Sequence, residues 1–319
     1  MSLFRSPYPK QRSILTYDQK LPPEVLRAAS VFSLRAHRLV EGILGGAHHS
    51  SFEGASIEFS SYKDYSPGDD VRYIDWKIFG RTDRIYLKRH MRETSTNCYL
   101  VLDCTRSMSY CGHKAVHSKL HYSCLLAAAV AIMLLRQGDA AGLLFFDRSG
   151  NSILPPDRRP DHLQVILQKL SVLETEGERE VETTDSAICR ALELLTSTVK
   201  NRSMIYIFSD LLDPDPHALS AVRLLGVKGH DVTVVRVADP DEAGFDFNGA
   251  SRFAGLEGEE EILAEPSLVR SAYLREFSEL SRNWSTACAE SRSEFVEINT
   301  EEALEITLSR LLEDRRKTE

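Results

Sequence analysis

The sequence lacks the features that would place it in a membrane or outside the cell. No run of about 18 apolar residues occurs among its 319 residues, so we predict no transmembrane helix. The N-terminal residues contain no apolar core of a signal peptide. The six cysteines are too few and too irregularly spaced for a disulfide framework in a chain of this length. We therefore expect reduced thiols and a cytoplasmic protein.

Sequence motifs of the common enzyme classes are missing as well. The chain contains no Gly-x-Ser-x-Gly elbow, no phosphate-binding glycine loop and no dinucleotide fingerprint. Its formal net charge of −8 argues against a general affinity for nucleic acid. We therefore expect neither enzyme activity nor a nucleic-acid partner.

What the sequence does contain is an alternation of apolar strands and periodic helices. Strands are predicted at 97–103, 140–147, 203–209, 231–237 and 293–298, and helices at about 115–136, 160–173, 184–199, 216–228, 267–287 and 301–314. Such alternation indicates an α/β fold with a doubly wound, mostly parallel sheet. The most apolar stretch, Cys124–Leu135, is predicted to be a buried core helix. The acidic segment 239–266 is predicted to be a surface hairpin or loop.

The chain divides into four predicted regions: an arm over 1–20, a helix with a small β-rich module over 21–96, the sheet domain over 97–300 and a C-terminal helix over 301–319. In the second region a helix over 22–44 stops at two glycines, and strands at 56–59 and 84–88 flank a Pro-Gly-Asp turn. The module is too short to fold alone, so we predict that it packs on the sheet. Its predicted anchors are Phe59, Ile74 and Trp76.

The main candidate site follows the predicted strand 97–103. Asp103 ends this apolar run, and Thr105 and Ser107 follow at alternate positions in the next loop. Ligands of parallel sheets bind beyond the carboxyl ends of the strands. Carboxylate and hydroxyl oxygens are ligands suited to Mg²⁺, Mn²⁺ or Ca²⁺, so these residues predict a metal site. The alternative is an ordinary strand-to-helix turn with a capping Ser or Thr.

The pattern Asp-x-Thr-x-Ser resembles the metal-ion-dependent adhesion site of von Willebrand factor A domains. Further along, Thr184 opens a predicted helix and Asp210 follows the strand 203–209, which is the chain order of that site. The resemblance implies five metal-site residues: hydroxyl ligands Thr105, Ser107 and Thr184, and, acting largely through water, Asp103 and Asp210. The sequence departs from the pattern at Thr105, where Ser is usual, and at Leu211, where Gly is common.

A second resemblance covers most of the chain, from about residue 30 to its end. The segment 49–89 carries the blocks Tyr65–Val71 and Ile74–Trp76, and Ser118–Leu120 and Gln137–Leu143 continue the pattern. These segments resemble the "domain of unknown function 58" family. Its members carry a von Willebrand A-like domain and are commonly encoded beside MoxR-type AAA+ ATPases. The resemblance implies an adaptor or cofactor that works with such an ATPase, and with other A-type domain proteins, to assemble or mature other complexes.

Other motifs have structural explanations that we favour. The acidic block over 69–75 could bind a partner, but a turn paired with nearby Arg and Lys side chains is the preferred interpretation. The basic residues over 77–92 could bind phosphate or RNA, but a solvated strand face fits the net charge better. A zinc site is conceivable at Cys111, His113, His117, His121 and Cys124. Their spacing matches no closed four-ligand motif, so surface histidines beside a buried thiol are favoured.

The leading functional hypothesis is a metal-dependent protein-interaction module that serves an AAA+ ATPase. A phosphatase of the haloacid-dehalogenase type needs a second Asp two residues after its nucleophile, and Thr105 stands there. A metal-dependent hydrolase of phosphate esters and a metal-free scaffold are the alternatives.

Overall fold

The computed structural model describes residues 23–46, 62–64, 79–81, 86–88, 96–176, 186–213, 215–247, 251–253 and 262–313. Its strands are β1 (Tyr62–Asp64), β2 (Tyr86–Lys88), β3 (Asn97–Asp103), β4 (Ala140–Asp147), β5 (Gly150–Asp157), β6 (Ser203–Ser209), β7 (Asp231–Ala238), β8 (Ser251–Phe253), β9 (Ile262–Ala264) and β10 (Glu294–Asn299). The helices around them are α1 (Pro23–Gly46), α2 (Lys119–Arg136), α3 (Pro160–Glu176), α4 (Ala187–Thr198), α5 (Pro216–Val227), α6 (Pro240–Gly244), α7 (Pro266–Glu290) and α8 (Leu304–Glu313).

A six-stranded sheet forms the centre of the fold, in the order β10-β7-β6-β3-β4-β5. Five of its strands are parallel, and β5 runs antiparallel to β4 at one edge. Strand β4 pairs with one edge of β3, and β6, which comes later in the chain, pairs with the other edge of β3. The predicted fold class, an α/β fold with a doubly wound and mostly parallel sheet, is confirmed.

Successive residues of the central strand β3 serve two different hydrophobic cores. Leu100 and Leu102 pack with α1, α2, α3 and α8 on one face, whereas Tyr99 and Val101 pack with α4, α5 and α7 on the other. This alternation follows from the pleat of a strand, in which neighbouring side chains point to opposite faces. All residues of β3 after Asn97 are buried, which is why its sequence is an unbroken apolar run.

Helix α2 is the predicted core helix, and the structure confirms it. Every residue from Lys119 to Leu134 is buried, including the charged Lys119. By length and composition α2 could cross a membrane, but 89% of it is buried inside the fold. We predicted that the helix starts near residue 115, yet it begins at Lys119, because the Ser118 side chain accepts a hydrogen bond from the backbone N–H of His121 and caps the helix there.

Strand β5 was not predicted from the sequence. It contains Pro155 and Pro156, which cannot donate to a strand ladder and are tolerated at a sheet edge. Its pairing with β4 shifts register between Ala141 and Leu143. Proline is an argument against a strand in sequence reasoning, and only the edge position removes that objection.

The N-terminal helix is present as predicted. Helix α1 covers Pro23–Gly46, and its buried residues Phe32, Ala36, Leu39 and Val40 join the core that contains α2. Strands β1 and β2 form an antiparallel pair. The predicted strand 56–59 lies outside the described residues, as do the predicted anchors Phe59, Ile74 and Trp76.

Candidate functional site

The candidate site lies at the carboxyl ends of β3 and β6, the two central strands. Leu102 pairs with Phe208, so Asp103 and Ser209 end their strands side by side and Asp210 follows directly. Connections leave these two strands in opposite directions across the sheet, which makes this edge the switch point where open α/β sheets bind ligands. The prediction that strands ending at Asp103 and Asp210 are neighbours is confirmed.

Asp103 is the centre of a buried hydrogen-bond network. Its Oδ1 accepts hydrogen bonds from the backbone N–H of Thr105 at 2.9 Å and from the Thr105 hydroxyl at 2.6 Å. Its Oδ2 accepts one from the Ser209 hydroxyl at 2.6 Å. Burial, and next the charge of Asp210, raise the pKa of Asp103 to about 7, while the hydrogen bonds from Ser209 and Thr105 act in the opposite direction.

Two of the predicted hydroxyl ligands lie together in the loop after β3. A short 3₁₀ helix, Arg106–Ser109, turns Ser107 back toward the strand end, so that the Oγ atoms of Thr105 and Ser107 are 3.2 Å apart. Adjacent ligands of an octahedral Mg²⁺ at about 2.1 Å lie about 3 Å from each other. This hydroxyl pair therefore fits a small divalent ion. Thr184, the third predicted hydroxyl ligand, lies outside the described residues.

The loop after β6 has a strained residue where the adhesion-site pattern has glycine. Leu211 has a φ of 54°, in the left-handed region that costs a residue with a Cβ atom roughly 1–2 kcal/mol. Its side chain is only 2% exposed, and its N–H donates to the Ser209 hydroxyl at 3.1 Å. Burial of the leucine thus offsets the backbone strain, and the loop keeps the conformation that a glycine would adopt freely.

Substitution of Leu211 tests this explanation. Leu211→Ala keeps the backbone strain and loses the buried side chain, whereas Leu211→Gly loses both. We expect Leu211→Gly to be the more stable of the two by about 1 kcal/mol in urea unfolding. Leu225, buried in α5, is the matched control, because Gly in a helix is about 1 kcal/mol less favourable than Ala and the order must reverse. The same order of stability for the Ala and Gly variants at Leu211 and Leu225 would contradict the explanation.

The structure also places a lysine in the site, which the sequence reasoning missed. Lys119, the first residue of α2, is fully buried. Its Nζ donates to Asp210 Oδ2 at 2.9 Å and to the two carboxylate oxygens of Glu242 at 2.7 and 2.9 Å. Burial lowers the pKa of Lys119, but the charges of Asp210 and Glu242 raise it by more, so the ammonium stays charged. We call Lys119, Asp210 and the partly buried Glu242 the ion triad.

The beginning of the acidic segment 239–266 is not a surface loop, contrary to the prediction. Asp239 is fully buried and accepts the N–H of Gly112 at 2.8 Å, and Asp241 accepts the N–H of His113 at 2.7 Å. A Cβ atom at Gly112 would overlap with the Asp239 carboxylate. These backbone groups of the loop before α2 need acceptors, and the acids supply them. Strands β8 and β9 form the predicted hairpin further along.

The Cys and His cluster only partly matches its prediction. Cys124 is the expected buried thiol, and His113 is exposed as expected; Cys111 is exposed as well. His121, however, is buried and stacks on His117 with ring centroids 4.3 Å apart. In the part of the chain that the structure describes, no three His, Cys, Asp or Glu side chains are grouped so that they could hold a metal ion. A metal at the Asp103 edge would therefore depend on the hydroxyl groups.

Comparison with known proteins identifies the family. The sequence profile described as "Protein of unknown function DUF58" matches residues 61–282. This chain belongs to the DUF58 family. Uncharacterized proteins of Mycobacterium bovis and Mycobacterium tuberculosis are 24% identical to this DUF58 protein over 220 residues. That match covers 68% of this chain and 66% of theirs, so the chain spans slightly less than two thirds of these relatives.

Several solved structures share similarity with this DUF58 chain. BatB, a conserved hypothetical protein from Bacteroides thetaiotaomicron, aligns with a TM-score of 0.43 and 16% identity over 70% of this chain and 100% of that chain. A von Willebrand factor type A protein from Catenulispora acidiphila aligns with a TM-score of 0.39 and 9% identity over 68% and 42% of the two chains. The VWA domain of SpRpn10 aligns with a TM-score of 0.37 and 9% identity over 67% and 94%.

Proposed function

We propose that this DUF58 chain is a protein-interaction module whose divalent-ion site binds an acidic side chain of a partner protein. The ion, Mg²⁺ or Mn²⁺ with Ca²⁺ as the larger alternative, is held by the hydroxyls of Thr105, Ser107 and Thr184. Asp103 orients Thr105 and supports the ion's water ligands. The observation that carries the proposal is the hydroxyl pair of Thr105 and Ser107, 3.2 Å apart beside a buried carboxylate at the switch point of the sheet.

An ion bound in this way is suited to recognition of an acidic partner. Neutral hydroxyls donate little charge, so the ion remains strongly electrophilic and keeps a position open for a carboxylate oxygen. A Glu or Asp side chain of the partner would complete the coordination shell through a charge-assisted contact with defined geometry. Affinity for the ion alone is then modest, and it increases when the partner binds.

We further propose that the partner is a MoxR-type AAA+ ATPase, for which the chain is an adaptor or cofactor in assembling or maturing other complexes. Membership in the DUF58 family supports this proposal, because the resemblance to that family is what implies an association with such ATPases. Other A-type domain proteins are proposed as additional partners. We also propose a reducing, cytoplasmic environment, which agrees with six cysteines that form no disulfide bond, four of them buried.

Asp103→Ala tests the site directly. The substitution removes the carboxylate that orients Thr105 and Ser209, while β3 keeps its buried apolar residues. We expect the fold to persist and the partner affinity in Mg²⁺ to fall to the level measured in EDTA. The measurement is titration calorimetry against a MoxR-type AAA+ ATPase from the same organism, in Mg²⁺, Mn²⁺ and EDTA.

Asp147→Ala is the matched control for this experiment. Asp147 ends the adjacent strand β4, and its Oδ1 accepts hydrogen bonds from Ser149 and Gly150 in its own turn. Its removal is expected to leave the metal-dependent part of the partner affinity unchanged. Equal wild-type affinity in EDTA and in Mg²⁺ would contradict the proposed function and would favour the metal-free scaffold.

A further inference from the structure

Asp210 already has a cation as its neighbour in the folded protein. The Lys119 Nζ lies 2.9 Å from Asp210 Oδ2, and the other oxygen, Oδ1, accepts one long hydrogen bond of 3.4 Å from the N–H of Leu212. A second buried cation, Arg236, donates from Nε to the backbone carbonyl of Asp210 at 3.3 Å. One oxygen of the carboxylate that the adhesion-site pattern assigns to the ion's water shell is therefore paired with a lysine of the protein itself.

The ammonium of Lys119 is held in place from several sides. It belongs to the first residue of a helix that is buried from Lys119 to Leu134, and Glu242 contacts it with both carboxylate oxygens. Glu242 is positioned in turn by a capping box, in which its side chain accepts the N–H of Asp239 at 3.3 Å. Lys119 stays in place when a divalent ion approaches Asp210, because its departure would leave Glu242 without a counter-charge.

We propose that Lys119 is a resident cation that withholds Asp210 from the divalent-ion site and thereby limits the affinity of the site for the free ion. This inference rests on the proposed function, since it concerns the same site. Asp103 is then the one carboxylate of the proposed site that supports the ion, beside the proposed hydroxyl ligands. The ion binds firmly only when a partner supplies the carboxylate that Asp210 does not contribute. Lys119 is a positioning residue, and its fixed charge makes ion binding dependent on the partner.

Two double variants with the same formal charge separate this effect from a general change in charge. The triad carries one positive and two negative charges, so its net charge is −1. Lys119→Met/Glu242→Gln leaves Asp210 as the single carboxylate, and Lys119→Met/Asp210→Asn leaves Glu242. Both therefore keep the net charge of the wild-type triad. They differ only in which carboxylate is released from the lysine.

The experiment is a titration of the full chain with Mn²⁺ alone, followed by the electron paramagnetic resonance signal of free Mn²⁺. We expect Lys119→Met/Glu242→Gln to bind Mn²⁺ at least tenfold more tightly than the wild type, because Asp210 becomes available to the ion's shell. We expect Lys119→Met/Asp210→Asn to stay within about threefold of the wild type, since Asp210 is absent as a carboxylate. Circular dichroism and thermal unfolding establish that each variant is folded.

Other outcomes would overturn the inference. These are an equal change of Mn²⁺ affinity in both double variants, no change of Mn²⁺ affinity in either, or no Mn²⁺ binding to the wild type and both variants. If a methionine variant does not fold, Lys119→Gln/Glu242→Gln and Lys119→Gln/Asp210→Asn make the same comparison, with an amide that can still donate to the remaining carboxylate. The proposed function is decided separately, by wild-type partner affinity in Mg²⁺ against EDTA, so failure of one does not imply failure of the other.

Discussion

Lys119→Met alone is expected to lower the free energy of unfolding by about 3–5 kcal/mol at pH 8, because it removes one partner of a buried ion cluster and leaves the others uncompensated. Asp210 and Glu242 both contact the Lys119 ammonium in the wild type. Without it, the buried carboxylate of Asp210 and the partly buried carboxylate of Glu242 repel each other. Burial raises the pKa of Glu242, so at pH 5 this carboxylate can take up a proton in the variant and the loss should be smaller there. Urea unfolding at the two pH values measures both effects.

Lys114→Met is the control for the loss of a lysine near the site. Lys114 lies in the loop before α2 and forms an exposed ion pair with Asp246 at 3.3 Å. Exposed pairs of this kind contribute about 0–1 kcal/mol, so this substitution should have little effect. The double variant Lys119→Met/Asp210→Asn should recover a large part of the lost stability. A loss at Lys119 as small as that at Lys114 would show that the triad contributes no stability.

The central strands could be predicted from the sequence because burial on both faces leaves a simple pattern. The predicted bounds of β3, β4 and β6 agree with the structure, since each is an apolar run that stops at a polar residue. The edge strand β5 has no such pattern. It is partly exposed and contains Pro155 and Pro156, so its sequence resembles a loop.

The site could be predicted only as far as strand topology determines it. Asp103 and Asp210 follow neighbouring parallel strands, and this alone brings them together. Lys119 and Glu242 reach Asp210 through tertiary packing, and Lys119 is 91 residues from Asp210 and 123 from Glu242 in the chain. No local pattern encodes such a contact.

Two signals in the sequence nonetheless pointed to the missed residues. Lysine in the first turn of a helix is unfavourable with respect to the helix dipole, so Lys119 directly after the capping Ser118 requires a compensating partner. The spacing of Asp239 and Glu242, with Pro240 between them, is that of a capping box at a helix start. Composition alone made this segment look like a solvated acidic loop.

Asp103→Asn is expected to stabilise the protein at pH 8 and to have little effect at pH 4. The pKa of Asp103 is raised from 3.8 to about 7, first by burial and then by the charge of Asp210. At pH 4 and below, the folded protein holds this carboxyl protonated at little cost. Between about pH 4 and pH 7 the folded state keeps a proton that the unfolded state releases, so stability falls as the pH rises. Above pH 7 the loss of stability reaches its full size. A pKa shift of this size corresponds to at most about 4 kcal/mol in the free energy of unfolding.

The amide of Asp103→Asn avoids that loss while keeping the shape of the side chain. Its carbonyl can accept the bonds from Thr105, and its NH₂ group can donate to the Ser209 hydroxyl. Thermal unfolding in EDTA from pH 4 to pH 8 should show a gain that grows with pH. Asp157→Asn is the control and is expected to lower stability instead of raising it. Hydrogen bonds from Arg159 lower the pKa of Asp157 to about 2, so its carboxylate is favoured in the folded state. A gain at Asp103 that does not depend on pH would mean that the desolvated charge is not its cause, because only an ionising group couples stability to pH in this range.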